Sequence, residues 1–179
     1  MAVCLFTFHA YGTWWPDNFR GYTQQENGVR PPDQKMAERY RRKAEFEPVS
    51  FEVPLQRVLI VGCHDICIRR DWRLHAVGSD PTHAHYLISR RGYFDFVAVR
   101  DKIKNLLSLF LGRATGATGR HWFAGGGSSK RVEDRKHFDH LVETYLPNQR
   151  GLFWREGMPL PEIPDGILRV DAPGPSGPG

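Results

Sequence analysis

Asp80-Pro81-Thr82-His83-Ala84-His85-Tyr86-Leu87-Ile88-Ser89 is a turn running straight into an apolar stretch. Asp-Pro opens a turn, and Tyr-Leu-Ile has strand composition. Just upstream, Trp72 to Gly78 alternates well enough for a strand, so Ser79–Thr82 joins an antiparallel pair. Alternate side chains of a strand share a face, so His83 and His85 project together while Ala84 points away. Two neutral imidazoles held side by side supply most of a divalent-metal site. The plainer reading is a strand with two half-exposed histidines, and the triplet alone does not choose between them.

The surrounding elements set the fold class. Residues 2–9 read as a buried first strand, followed by an aromatic, turn-rich loop over 11–21 and a polar loop over 22–33 ending in Pro31-Pro32. Gln34 to Glu45 is a charged helix with little apolar face, closed by Pro48. Pro54 opens a second helix, Leu55 to about Ile68, with apolar residues at helical spacing. Phe94 to Leu111 carries the clearest stripe, Val97, Ile103, Leu106, Leu107 and Phe110, with Gly112 expected to end it. His121-Trp122-Phe123-Ala124 reads as a short strand and Gly125–Ser129 as a loop or hairpin tip. That loop lacks the strand–loop–helix fingerprint of a nucleotide P-loop. Asp134 to Leu146 forms the last helix, with Glu133 and Asp134 near its positive end. The order predicts an α+β fold, an antiparallel sheet with helices packed on one face, of ferredoxin-like or RNA-recognition type. Residues 1–157 make one domain, and 158–179 a tail whose proline and glycine content from Pro161 onward predicts disorder.

Composition narrows the partners. The chain has 179 residues, 40% hydrophobic and 12% aromatic, enough for a folded core. No apolar run approaches a membrane span, and Met1–Phe8 lacks the pattern of a signal peptide, so a cytoplasmic location is expected. Three cysteines cannot pair completely, and Cys63 and Cys67 read as buried thiols. The net charge of +5 points toward a polyanion. Basic clusters at Arg39–Lys43, Arg69-Arg70, Arg90-Arg91 and Lys130-Arg131 lie near Tyr40, Trp72, Tyr93 and Trp122. Cations for phosphates beside rings for bases is a composition suited to single-stranded nucleic acid.

Near the end of the last helix, Tyr145 and Gln149 are four residues apart, a spacing that shares one helix face. A phenol is a poor nucleophile at neutral pH, but it suits attack on a phosphodiester when a metal holds the phosphate charge and the bond must later be rejoined. An amide oxygen of Gln149 is a third candidate ligand beside His83 and His85, for magnesium or manganese. Pro147 lies between the two and predicts a helix end or kink. Gln149 would then lie off the tyrosine face. His9 is a lesser candidate, and no small-molecule cofactor is expected.

The His83-Ala84-His85 run, a long helix, a tryptophan-containing strand and a final Tyr-x-x-x-Gln helix resemble the single-tyrosine HUH transposases. These are the insertion-sequence-200-like transposases and their REP-associated relatives. The tyrosine sixty residues past the second histidine also fits, as do Thr7–Trp14 and Arg20-Gly21, which look like the opening of a subgroup. The likeness spans roughly residues 3–157, with Ala84 standing where the family commonly has a large apolar residue. The resemblance implies a dimeric enzyme acting on single-stranded, hairpin-bearing DNA. In it His83, His85 and Gln149 hold a divalent cation, and Tyr145 forms a 5′-phosphotyrosine. It makes Arg69, Arg70, Arg90, Arg91, Lys130 and Arg131 candidates for DNA contact. Two other readings fit the same residues: a binding module of the same fold without chemistry, and a metal-dependent hydrolase with no covalent step.

Overall fold

A computed structural model of the chain describes residues 2–19, 21–24, 28–93 and 95–164. Its elements run β1 (Ala2–His9), β2 (Tyr22–Gln24), β3 (Gly28–Arg30), α1 (Gln34–Arg42), α2 (Val53–Arg69), β4 (Trp72–Ser79), β5 (His83–Arg90) and α3 (Phe96–Thr115). β6 (Ser128–Arg131), α4 (Arg135–His140), a π-helical turn (Leu141–Tyr145) and β7 (Phe153–Arg155) complete the chain. The main sheet has the order β6-β1-β5-β4-β7, and every pairing is antiparallel. Leaving aside β7 and the small β2–β3 ladder, this is a βαββαβ arrangement of the ferredoxin-like kind. The expected α+β class is the observed one.

The sheet separates two cores. Residues Cys4, Phe6 and Phe8 of β1 and Ala84, Tyr86 and Ile88 of β5 face α2 and α3, where Leu59, Ile103 and Leu107 are fully buried. Burying side chains of this size contributes about 1.5–3 kcal/mol each. Ala84 is fully buried in this layer, and its cross-strand partner Phe8 packs against Tyr86 and Phe123. On the opposite face, Leu5, Ala76 and Leu87 meet Leu141 and Leu146 of the closing helix. The helical layer expected on one face is α2 and α3; the tyrosine helix lies across the other, as the histidine geometry requires.

Several local expectations are corrected. Residues 22–33, read as loop, contain the β2–β3 ladder, too short for its alternation to stand out. Gly112 does not end α3. It is buried in the helix, which runs on to Thr115 and is capped by Gly116, whose φ of 72° is the left-handed conformation glycine accommodates. His121–Ala124 forms no strand, only the single bridge Ala10↔Phe123, while Ser128–Arg131 carries the ladder with β1. β7 leaves no mark in the sequence because three residues cannot show a period. In the tail, the Glu162 carbonyl accepts from Arg57 and Ile163 packs on the core, so the chain remains attached through these residues. The rest of the expected disordered segment, from 165 on, lies outside the described residues. Among the described residues no helix is long and apolar enough to cross a membrane. Cys4, Cys63 and Cys67 are buried free thiols.

Candidate functional site

The Asp80–Thr82 turn sets the start of the histidine strand. Asp80 Oδ1 accepts from the backbone N–H groups of Thr82 (2.6 Å) and His83 (3.0 Å), and from the Thr82 hydroxyl (2.8 Å). The same oxygen lies 3.0 Å from His83 Nδ1. These contacts lower the Asp80 pKa against the opposing effect of its burial. One strand position further in, His85 Nδ1 is 2.7 Å from the Thr7 hydroxyl of β1. The register His9↔His83 and Thr7↔His85 brings both strands' polar residues onto one face.

Each imidazole is therefore held at Nδ1 by an oxygen, an arrangement that leaves Nε2 for a ligand and fixes the tautomer. The two rings are 4.7 Å apart, and His9 lies 5.5 Å from His83. Burial, His83 and His9 push the His85 pKa down to about 3, with Lys130 adding to the shift and Asp80 opposing it. His85 is neutral at physiological pH, the protonation state a metal ligand needs. His9 is likewise shifted down, first by burial and then by His83.

Tyr145 arrives from the opposite face of the same cleft. Asp134 caps α4 by accepting from the His137 N–H at 2.7 Å. The helix then widens into a π turn, with Leu146 N–H donating to the Leu141 carbonyl at 2.9 Å. A proline at 147 has no N–H for the Glu143 carbonyl, and its ring would crowd that carbonyl in a regular α-helix. The widened turn just before it accommodates the proline, and such turns are frequent at functional sites. Tyr145 is 37% exposed, and its hydroxyl lies 3.3 Å from His85 Nε2. Burial raises its pKa, so the free phenol is protonated at neutral pH.

Pro147 does not carry Gln149 away from the tyrosine, as the local pattern predicts. The chain folds back, and the Gln149 amide nitrogen donates to the Tyr145 carbonyl at 3.0 Å. The turn sits on Gly78, where an added Cβ would stand 2.6 Å from the Leu146 carbonyl and 3.0 Å from Gln149 Cγ. Buried Gln56 anchors the segment leading into β7. Its amide oxygen accepts from Leu152 N–H (2.7 Å) and the Ser79 hydroxyl (2.8 Å), and its amide nitrogen donates to the Phe51 carbonyl (2.7 Å). Gly151 is required there, since a side chain would collide with Gln56 and the Ser79 carbonyl.

His83, His85, Tyr145 and Gln149 line one open cleft of about 840 Å³, with Lys130 on its rim. The other basic candidates lie elsewhere. Arg131 sits one position beyond Lys130, paired with Cys4, whose side chain belongs to the opposite face. Arg90 and Arg91 close the far end of β5, roughly 23 Å along the strand from His83. Arg69 and Arg70 end α2, close to Trp72, which pairs with Arg90, and Arg69 is bound to Asp65 at 2.8 Å. Sequence reasoning does not single out Thr7 and Asp80, nor His137 and His140 as members of the cleft that all four line. His75 stays outside it, bonded to Ser89 and packed on Phe138.

The donor set admits a divalent cation. Among the described residues no three histidine, cysteine, aspartate or glutamate side chains are grouped as metal ligands. A cation here would be held by His83, His85 and the amide oxygen of Gln149, a set with the oxygen-anchored imidazoles expected of ligands. A strand-mounted histidine pair facing a tyrosine, in an antiparallel α+β protein, is an arrangement suited to polarised phosphate chemistry.

Two solved structures are similar to the chain. One is a REP-associated tyrosine transposase bound to a REP hairpin, at 13% identity and a TM-score of 0.44, covering 79% of this chain and 62% of that one. The chain thus spans less than two thirds of that protein's length. The other is from Deinococcus radiodurans R1 and described as a transposase, at 13% identity and a TM-score of 0.46, covering 85% and 92% respectively. No protein-family model and no curated protein matches the sequence.

Proposed function

We propose that this protein is a transposase-type nuclease and strand transferase for single-stranded DNA, acting through Tyr145. The observation that carries this reading is the Tyr145 hydroxyl, 3.3 Å from His85 in the cleft that also holds His83 and Gln149. Tyr145 Oη attacks the scissile phosphorus; the new P–O bond forms as the bond to the 3′-oxygen breaks. The phenolic proton leaves Tyr145 and a proton is taken up by the departing 3′-oxygen, so the products are a 5′-phosphotyrosine and a free 3′-hydroxyl. Because the ester bond energy is kept, a second 3′-hydroxyl can reverse the step. Magnesium or manganese bound by His83, His85 and Gln149 would polarise the phosphate and favour the phenolate. Thr7 and Asp80 hold the imidazoles in the required tautomer, and Lys130 attracts the incoming strand.

The hairpin-bearing substrate and the homodimer belong to the same proposal through the family resemblance. Within one chain Tyr145 already faces His85, so cleavage in cis needs no exchange of helices. Incubation with a labelled single-stranded oligonucleotide and manganese gives a denaturation-resistant adduct with the wild type and none with Tyr145→Phe, which still binds DNA. Persistence of the adduct in Tyr145→Phe overturns the nucleophile. Metal-dependent cleavage without any adduct favours plain hydrolysis instead.

A further inference from the structure

The charged helix α1 has almost no apolar face, with only Ala37 buried, yet it is firmly placed. The Asp33 N–H donates to the Pro16 carbonyl at 2.8 Å, and the Asp33 side chain caps the helix through Met36 N–H at 2.8 Å. Arg41 pairs with Asp17 at 2.7 Å and lies 5.5 Å over the Trp15 ring. These contacts hold the C-terminal end of α1 opposite α3 and the 120–125 segment. Between them runs a second cleft of about 580 Å³, within the roughly 300–1,000 Å³ of ligand sites.

Aromatic and basic groups dominate its lining: Trp14, Trp15, Tyr40, Lys43, Lys104 and Arg120. No carboxylate lines it among the described residues, whereas Glu45 and Glu47 belong to a separate depression that shares Arg120. Trp14 is 40% and Tyr40 45% exposed, so both rings offer surface. Lys104 donates to the carbonyls of Ala124 and Gly126 and shapes the wall; Arg120 donates to the Glu47 carbonyl at 3.1 Å and stacks on Trp122. Lys43 is left as the exposed cation beside Tyr40. Trp14 also lines the histidine cleft and lies 5.3 Å from His9, so the two clefts adjoin at this one ring.

We infer that this second cleft binds the bases of a single-stranded DNA segment flanking the phosphate held at His83–His85. Rings that stack on any base, beside cations for the backbone, are what an unpaired strand requires, whereas the bases of a duplex are already stacked on one another. The inference rests on the proposed cleavage of single-stranded DNA and adds where the rest of the strand lies. Trp14 guides the strand from one cleft to the other, Tyr40 stacks on a base and Lys43 meets a phosphate.

The test uses equilibrium binding in a Tyr145→Phe background, with oligothymidylates of about 4 and about 12 nucleotides, the range such sites cover. Tyr40→Ala weakens binding of the long oligonucleotide roughly 5- to 100-fold, and Tyr40→Phe restores it. The short one, which fills only the histidine cleft, binds both variants like the parent. Lys43→Ala weakens the long oligonucleotide with a shallower salt dependence. Photocrosslinking of a 5-iodouracil oligonucleotide to the parent chain labels Trp14 or Tyr40. Equal affinity of Tyr40→Ala and parent for the long oligonucleotide, or crosslinks confined to other residues, overturns the second cleft and leaves the proposed cleavage standing. No binding of either oligonucleotide to the parent overturns both.

Discussion

The two faces of β5 make opposite uses of one strand. Ala84, Tyr86 and Ile88 are fully buried among the apolar residues of α2 and α3. His83 and His85, interleaved with them, stand over an open cleft with their Nδ1 atoms held by oxygens. The reactive face thus borrows its rigidity from the inert one. A one-residue slip of β5 would exchange the two faces, so the apolar layer fixes the register that puts the histidines in place.

Mutations on the two faces should therefore fail in different ways. The largest effect is expected from Ile88→Ala, which costs about 2–5 kcal/mol of stability by leaving a cavity. It should leave the adduct yield per folded molecule unchanged, as chemical denaturation combined with active-site titration can show. His85→Ala inverts this, lowering oligonucleotide cleavage by more than about 100-fold while stability holds or rises. If His85→Ala instead unfolds the protein, the histidine face is structural and the contrast fails. Thr7→Val is smaller: it removes the oxygen that holds His85 Nδ1, and manganese affinity should drop about 10- to 100-fold in calorimetric titration. Affinity equal to the wild type would show that Thr7 does not position the ring.

Acid separates the faces most gently. The His85 pKa is depressed to about 3 in the fold, so between the unfolded value and that point the unfolded chain binds more protons. Its effect on stability is thus absent above about pH 6.5 and destabilising below it. For this group the loss is at most about 1.4 kcal/mol per pH unit as the pH falls toward 3. His75 and His9, also shifted down by burial, act in the same direction. Denaturation midpoints of the metal-free protein should fall steadily from about pH 6.5 downward, and His85→Asn should flatten the curve. A flat wild-type curve would contradict the buried neutral imidazole.

Legibility in the sequence follows periodicity. The histidine strand, its partner β4 and the long helices α2 and α3 have enough residues for a pattern to repeat, and their positions are readable to within a few residues. β7, the β2–β3 ladder and the single bridge at Phe123 are not, because three residues or fewer carry no period. His83, His85, Tyr145 and Gln149 can be nominated from chemistry and spacing. Thr7 and Asp80 cannot, since hydroxyls and carboxylates in turns and strands are common and only a partner distinguishes them. The basic clusters are visible in sequence, but the cleft each one reaches is not: Lys130 lines the histidine cleft and Lys43 the second.

Local sequence is enough to put two imidazoles on one strand face, to make the helices beneath the other face amphipathic, and to supply a tyrosine and an amide four residues apart. Whether they meet is settled by tertiary contacts. Near His75 the β4–β5 register shifts, so that His75 and Ala76 both serve the histidine face and simple alternation breaks. At Pro147 a widened turn, seated on Gly78 and pinned by Gln56, returns Gln149 to Tyr145 where the local rule predicts separation. Each segment carries its own conformational preferences. Contacts between residues far apart in the chain select which of those preferences is overruled, and in this protein they do so at the site itself.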